Sequence, residues 1–375
     1  MKFFLSAGEI SGDMHCAYLV NEIKKLSPGS SFIGIGSDMM RAEGVDVRFD
    51  ISKNGTIGII ETVPNIVRLY SVFLKTKHLL SLERPDVLVL IDSQGFNVPL
   101  SQYARSIGIK TIYYITPQEW LWGSEKGVKK IAGSVDLLVS IFKMEHEAYK
   151  KINANSIFFG HPLLDIVKPS GPIIDAEKFY GGGDGEKACL CPGSRVHEIK
   201  ILLPILINTA LIIKKKLPQA RFCILSASDW ATIDIKNILS KFNLSTNIVQ
   251  SDRYDLISSS DLVLAASGTI NLEASILGTP NIMAYKLNPL SYWIGKNILK
   301  IDKKIKYFSM PNILIDREIV PEFVQDNADP SLICAKALSL LSGNRRLDNS
   351  LLLKILGSPP VIPKIADAIL NFTKN

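Results

Sequence analysis

The 375-residue sequence predicts an α/β protein made of two doubly wound halves, each a parallel sheet covered by helices. Two observations carry this. Short runs rich in β-branched and aromatic residues alternate with segments of helical periodicity, the mark of βαβ units. The alternation lapses once, between Ile166 and Lys187, and then restarts. In the first half the strand runs are Phe3–Ala7, Ser31–Ile35, Val87–Ile91, Thr111–Ile115, Leu137–Ile141 and Ile157–Phe159. The lapse contains Lys168-Pro169-Ser170-Gly171-Pro172 and Gly181-Gly182-Gly183-Asp184-Gly185, turn chemistry that marks a linker. Beyond it come Ala188–Cys191, Phe222–Leu225, Asn247–Val249, Leu262–Ala265 and Asn281–Ala284, then mostly helical sequence. Domains are therefore expected at 1–165 and 186–345, with helices in about 350–375 crossing back to complete the first. Open α/β sheets bind ligands outside the carboxyl ends of their strands, so the expected site is a cleft between the halves.

Composition narrows the class. Hydrophobic residues make up 47% of the chain, which rules out disorder as the main state. The 43 Lys+Arg against 36 Asp+Glu leave a formal +7, favouring an anionic partner. Five scattered cysteines, Cys16, Cys189, Cys191, Cys223 and Cys334, suit neither a disulfide framework nor paired metal knuckles, and point to a reducing cytoplasm. Gly8, Glu9 and Asp13 interrupt the opening apolar run too early for a signal peptide. The longest apolar run, Ile201 to Ile213, has 13 residues, short of the roughly 20 that span a bilayer. A soluble or surface-bound protein is expected. Dispersed basic residues and the absence of a recognised module argue against nucleic acid.

The strand ends carry the candidate chemistry. Ser6-Ala7-Gly8-Glu9-Ile10-Ser11-Gly12-Asp13 leads into a helix expected to begin near Asp13. It reads either as an anion-binding turn or as a plain βα turn capped by Asp13. Without the G-x-G-x-x-G spacing, a nicotinamide cofactor is not favoured. The apolar run Val87–Ile91, the third strand in this reading, delivers Asp92 at its carboxyl end, before Ser93-Gln94-Gly95-Phe96-Asn97. Two roles are open to Asp92: a general base of tuned proton affinity, or the cap of a helix starting near Pro99.

In the second half, Cys191 runs into Pro192-Gly193-Ser194-Arg195 ahead of a long helix from about Val196. Gly193 permits close backbone approach, Ser194 offers a hydroxyl, and the Arg195 fork suits phosphate oxygens. A Walker loop is absent, so ATP hydrolysis is not expected. A similar turn, Ala266-Ser267-Gly268-Thr269, opens a helix expected at Ile270 to Leu277 and carrying Glu273, which can accept hydrogen bonds from a ribose. Two such turns in one half point to a nucleotide, although turns of this kind also serve as plain connections. The histidines, His15, His78, His146, His161 and His197, show no H-E-x-x-H spacing, and no Asp-x-Asp occurs, so no metal is expected. His161, in Gly160-His161-Pro162, reads as either a packing or a catalytic histidine.

Two amphipathic stripes have basic flanks. Ile66, Leu69, Tyr70, Phe73 and Leu74 lie beside Arg68, Lys75 and Lys77; Leu290, Trp293, Ile294, Ile298 and Ile301 lie beside Lys296 and Lys300. Each fits either a core face or contact with an anionic membrane surface.

Taken in order, several of these segments resemble one family. They are Ala7-Gly8-Glu9-Ile10-Ser11-Gly12-Asp13, Pro85-Asp86-Val87 leading to Ile91-Asp92 and Phe96-Asn97, Trp120-Leu121-Trp122, Gly160-His161-Pro162, Pro192-Gly193-Ser194-Arg195, Ala266-Ser267-Gly268-Thr269 with Glu273, and Met310-Pro311-Asn312. The chain is similar over nearly its whole length to the lipid A disaccharide synthases, inverting glycosyltransferases of the two-domain GT-B type.

The resemblance implies transfer of 2,3-diacylglucosamine from its UDP conjugate to the 6-hydroxyl of 2,3-diacylglucosamine 1-phosphate, at the cytoplasmic face of the inner membrane. It also implies Asp92 as general base and Arg195 as the diphosphate partner. Gly193, Ser194, Ser267, Gly268, Thr269, Glu273 and Asn312 would bind UDP, and Glu9, Ser11, Asn97 and Trp120 would line the acceptor side. No cofactor or metal is implied, and a homodimer is open. Two segments depart from the family pattern: Asp92-Ser93-Gln94-Gly95-Phe96-Asn97 stands for Asp-Ala-Pro-Asp-Phe-Asn, and Thr116-Pro117-Gln118-Glu119-Trp120-Leu121-Trp122-Gly123 for Ser-Pro-Ser-Val-Trp-Ala-Trp-Arg. Both lie on the acceptor side. Competing readings are a UDP-sugar 2-epimerase-like enzyme and a non-catalytic UDP-sugar or lipid-binding protein.

Overall fold

A computed structural model describes residues 1–51, 59–172, 174–287, 306–343 and 346–374, without the side chains of 59–66 and 122. The chain forms two compact units, one of Met1–Ile166 with Leu356–Asn375, the other of Val167–Ile355.

In unit 1 the elements run β1 (Lys2–Ala7), α1 (Ile10–Leu26), β2 (Ser31–Ile35), α2 (Asp38–Ala42), β3 (Asp46–Phe49), α3 (Ile59–Glu83), β4 (Val87–Ile91), α4 (Gln94–Ser106), β5 (Lys110–Tyr114), α5 (Glu119–Trp122), α6 (Glu125–Ala132), β6 (Leu137–Ser140), α7 (Lys143–Lys151), β7 (Ser156–Phe158) and α8 (Leu163–Ile166). The seven strands pair in the order β3-β2-β1-β4-β5-β6-β7, and every pairing is parallel. Central strands β1 and β4 are apolar and buried on both faces, as a helix-covered parallel sheet requires. One face packs Leu88, Leu90, Val98, Leu100 and Ile131 into a shared core.

Unit 2 continues with α9 (Glu177–Tyr180), β8 (Lys187–Cys191), α10 (Val196–Lys216), β9 (Arg221–Leu225), α11 (Asp229–Leu239), β10 (Asn247–Val249), α12 (Arg253–Ser258), β11 (Leu262–Ala266), α13 (Thr269–Ile276), β12 (Asn281–Tyr285), α14 (Met310–Ile315), β13 (Glu322–Val324), α15 (Pro330–Ser342) and α16 (Ser350–Leu356). Its sheet runs β10-β9-β8-β11-β12-β13, again all parallel. A last helix, α17 (Ile362–Lys374), packs against α1 of unit 1. There its stripe of Ile362, Ile365, Ala366, Ile369 and Leu370 is buried.

The two-sheet α/β architecture agrees with the reading from sequence, and the differences have physical causes. Strands β3 and β13 escape the pattern because each is a short edge strand, with Asp46 and Arg48 or Glu322 breaking the apolar run. Val87–Ile91 is thus the fourth strand. The segment expected as linker includes the helical turn α9, whose Phe179 and Tyr180 are buried in a core of unit 2.

Helix α10 extends past the 13-residue apolar stretch to 21 residues. Among the described residues it is the one helix long and apolar enough to cross a membrane, at a mean hydropathy of 1.8. It is a core helix: Ile199, Leu202, Leu203, Leu206, Ile207, Ala210 and Ile213 pack with Leu190, Ile224 and Ile333 in unit 2. Cysteines 16, 189, 191, 223 and 334 are all free thiols and buried.

Candidate active site

Both sheets place their candidate loops at the switch point, where the chain leaves in opposite directions from two adjacent strands and a crevice opens. In unit 1 those strands are β1 and β4; in unit 2 they are β8 and β11.

Around β1 and β4 the loops interlock. A Cβ on Gly8 would lie 2.0 Å from Ser93 Oγ, so glycine is required for the two loops to meet. Asn97 is fully buried. Its amide donates to the backbone oxygens of Ser6 (3.3 Å), Ile91 (3.0 Å) and Asp92 (2.8 Å), and its Oδ1 accepts from Ser6 Oγ at 2.7 Å. It is thereby committed to tying the strand ends together. Glu9 stands at the N-cap position of α1 and Ser11 in its first turn, both half-buried. Asp13 does not cap α1: its carboxylate accepts from the backbone N–H groups of Ser37 (2.5 Å) and Met39 (3.0 Å), holding the start of α2. Burial raises its pKa, against the pull of those N–H groups.

Asp92 is half-buried and left-handed, with φ 52°, followed by Ser93 at 49°. Its N–H donates to Ile115 O (3.0 Å), and its carbonyl accepts from Tyr113 Oη (2.6 Å). Ile115 has φ 64°, a costly conformation for a β-branched residue. Strain held by so many bonds gathers where a site needs fixed geometry. Helix α4 starts at Gln94, with Pro99 inside it, so Asp92 does not cap a helix at Pro99.

The two segments that depart from the family pattern meet here. Gln94 Nε2 donates to Glu119 Oε1 at 2.9 Å, a pairing that sequence reading missed although both residues are departures. Trp120 is half-buried, its ring 5.7 Å from Phe142, whose ring in turn lies 4.8 Å from that of His161 at a tilt of 48°. Beneath this segment Thr116 hydrogen-bonds the buried Glu145, whose other oxygen accepts from Ile141 N (2.8 Å); burial pushes Glu145 up to about 7.

His161 is buried, accepts the Leu163 N–H at Nδ1 (3.1 Å) and stands 6.5 Å ring to ring from His15, which identifies it as a packing residue. His15 is also buried, with no partner for Nδ1 among the described residues, and burial lowers its pKa to about 4. The folded state thus disfavours the proton that an unfolded histidine takes up near pH 6.5. The stability tied to neutral His15 is full above about pH 6.5 and is lost as pH falls toward 4, on the order of 3 kcal/mol in all. Urea midpoints at pH 7 and pH 4.5 are expected to lie closer together in His15→Leu than in the unmodified protein. An unchanged separation would count against this.

In unit 2, the loop after β8 turns at Gly193 (φ 106°), where a Cβ would come within 2.6 Å of Glu198 Oε2. Ser194 is half-buried, and Arg195 occupies the N-cap position of α10. Arg195 is 20% exposed and donates from Nη1 to Glu198 Oε1 at 2.9 Å. Glu198 is a partner that the i, i+3 spacing could have disclosed. Tyr285, at the end of β12, lies close enough that Glu198 adds to the burial that raises its pKa while Arg195 lowers it.

On the adjacent strand, Ser267 is half-buried, Gly268 is exposed at the N-cap position of α13, and Thr269 begins the helix. Among the described residues neither Arg195 nor Gly268 caps its helix through a side chain, so the N-termini of α10 and α13, which follow adjacent strands, can offer first-turn N–H groups to an acceptor. Glu273, 1% exposed, is engaged by Arg253 Nη2 at 2.5 Å, a partner sequence reading missed. Asn312 is fully buried. Its amide donates to Val320 O (2.6 Å) and Glu322 Oε1 (2.8 Å) and accepts from Ile319 N (2.7 Å) and Val320 N (2.9 Å). Its side chain ties the α14 segment to Val320 and Glu322. No cluster of metal-binding side chains occurs among the described residues.

In the α3 stripe, Leu69 and Phe73 pack against the core, while Tyr70 and Leu74 are exposed together with Val67. The side chain of Ile66 and the whole of the second stripe, with Trp293, lie outside what is described.

Comparison with known proteins supplies the deciding observation. The family model for lipid-A-disaccharide synthetase matches residues 3–354. The chain belongs to that family. A lipid-A-disaccharide synthase of Nitrosococcus oceani is 36% identical over 341 residues, covering 91% of this chain and 87% of the relative. Membership makes the chain a hexosyl-transferring glycosyltransferase of lipid A biosynthesis. Solved structures agree on the fold alone. The UDP-GlcNAc 2-epimerase of Neisseria meningitidis bound to UDP-GlcNAc superposes with a TM-score of 0.62 at 13% identity, covering 100% of both chains. A spinosyn rhamnosyltransferase complexed with thymidine diphosphate also gives 0.62, at 11% identity over 98% of this chain and 99% of that one. The GT-B-type, two-Rossmann architecture is thus common to this family and its neighbours.

Proposed function

We propose that this synthase-family chain transfers a 2,3-diacylglucosaminyl group from its UDP conjugate to the 6-hydroxyl of 2,3-diacylglucosamine 1-phosphate. The products are a β-1,6-linked disaccharide 1-phosphate and UDP, with inversion at the anomeric carbon. The observation that carries the nucleotide half is Arg195 at the head of α10, with the α13 N-terminus following the adjacent strand at the unit 2 switch point. Positive charge and backbone donors at that spot suit a diphosphate, and they strengthen as UDP departs with growing negative charge.

Asp92 accepts the proton of the acceptor hydroxyl as its oxygen attacks the anomeric carbon, so proton loss and bond formation proceed together. Arg195 and the helix N-termini supply the charge stabilisation, and the scheme calls for no metal or cofactor. Ser194, Ser267 and Thr269 add hydroxyl donors, and Glu273 accepts from the ribose. On the acceptor side, Glu9, Ser11 and Trp120 flank the Asp92 loop.

We assign the working location to the cytoplasmic surface of an anionic membrane. Val67, Tyr70 and Leu74 are 78%, 61% and 47% exposed along α3, with Lys75 and Arg68 exposed beside them. Converting all three to serine is expected to lower sedimentation with phosphatidylglycerol vesicles at least several-fold while the far-UV spectrum is unchanged. Equal co-sedimentation would remove α3 as the membrane contact. The function is tested by incubating the protein with the acylated donor and acceptor and seeking the disaccharide 1-phosphate by mass spectrometry. Turnover of unacylated UDP-N-acetylglucosamine without any disaccharide would overturn it.

A further inference from the structure

We propose that Arg253 is a positioning residue of the nucleotide site, holding the buried Glu273 carboxylate to accept hydrogen bonds from the ribose of a bound uridine nucleotide. This rests on the assignment of UDP to unit 2. Glu273 lies in the second turn of α13 and is 1% exposed. Arg253 reaches it from the head of α12, placing Nη2 2.5 Å from Oε2. No other hydrogen bond to the carboxylate occurs among the described residues, so Oε1 remains to accept from a ligand.

A carboxylate at this depth without a counter-charge takes up a proton and loses acceptor capacity. Burial raises Glu273 and the guanidinium opposes it. The other ionisable groups that act on Arg253 are Tyr254, whose ring is 5.5 Å away, and Cys191, at the root of the Arg195 loop. Arg253 therefore links Glu273 of α13 electrostatically to Cys191, the β8 residue that precedes the Pro192–Arg195 loop. Its Nε is buried without a partner among the described residues, a deficit that a ligand can make good.

The test measures binding of UDP and 2′-deoxy-UDP by calorimetry from pH 6 to 9. It uses Arg253→Met, Arg253→Lys, Glu273→Gln, the double variant Arg253→Met/Glu273→Gln, and Arg195→Ala as reference. Arg253→Met is expected to weaken UDP about tenfold at pH 7, to regain affinity toward pH 9, and to lose the preference for UDP over its deoxy form. Arg253→Lys should stay near the unmodified protein, and the double variant, which leaves no unpaired charge to unfold the site, should be no weaker than Glu273→Gln. An Arg253→Met protein that binds as the unmodified one does, or loses affinity equally at every pH and for both nucleotides, overturns the proposal. If Arg195→Ala and Glu273→Gln are silent as well, the nucleotide assignment itself falls.

Discussion

Asp92→Asn is expected to lower turnover by on the order of 100-fold or more, with UDP affinity unchanged, because an amide cannot take the acceptor proton. Asparagine is the informative replacement. Asp92 is left-handed, and asparagine tolerates that conformation where alanine is strained. The backbone of residue 92 is also held by Ile115 O, Asn97 Nδ2 and Tyr113 Oη, and the bond its carboxylate accepts from Ser93 N, at 2.8 Å, can be kept by the asparagine oxygen. A rate change in Asp92→Asn therefore reports chemistry rather than a displaced loop. Single-turnover rates across pH, alongside UDP titration, would check it; full activity in Asp92→Asn, or loss of UDP binding with chemistry spared, would reverse the assignment.

Arg195→Ala is expected to weaken UDP binding about 10- to 100-fold and to depress turnover as well, since charge-assisted bonds to the diphosphate disappear. The variant also strips the nearly buried Glu198 of its partner, which lies 2.9 Å from the guanidinium. Arg195→Ala/Glu198→Gln separates the causes: nucleotide binding should remain weak in the double variant. Recovery of affinity there would mean that Arg195 serves Glu198 and not UDP.

Most of the architecture was legible because parallel strands buried on both faces leave uninterrupted apolar runs, as in Val87–Ile91 and Leu262–Ala266. What periodicity missed was edge structure: Asp46–Phe49 and Glu322–Val324 are short and half-solvated, so their composition is that of a turn. The glycines and charged residues of the switch-point loops were legible too, because Gly193 and Asp92 follow directly on strands. Their partners were not. Glu273 and Arg253 lie twenty residues apart and Gln94 and Glu119 twenty-five, distances at which only the fold reveals a contact. For the same reason the sequence does not disclose that the Asn97 amide is bonded to Ser6, Ile91 and Asp92, or the Asn312 amide to Ile319, Val320 and Glu322.

The docking of α17 on α1 has a consequence for biogenesis. Unit 1 needs Leu356–Asn375, which the ribosome delivers only after Val167–Ile355. At translation speeds of about 5–20 residues per second, the apolar seat on α1 waits for roughly 10 to 40 seconds while the intervening domain emerges. The later-made domain can mature first, and the nascent earlier one stays open to chaperones until its final helix arrives.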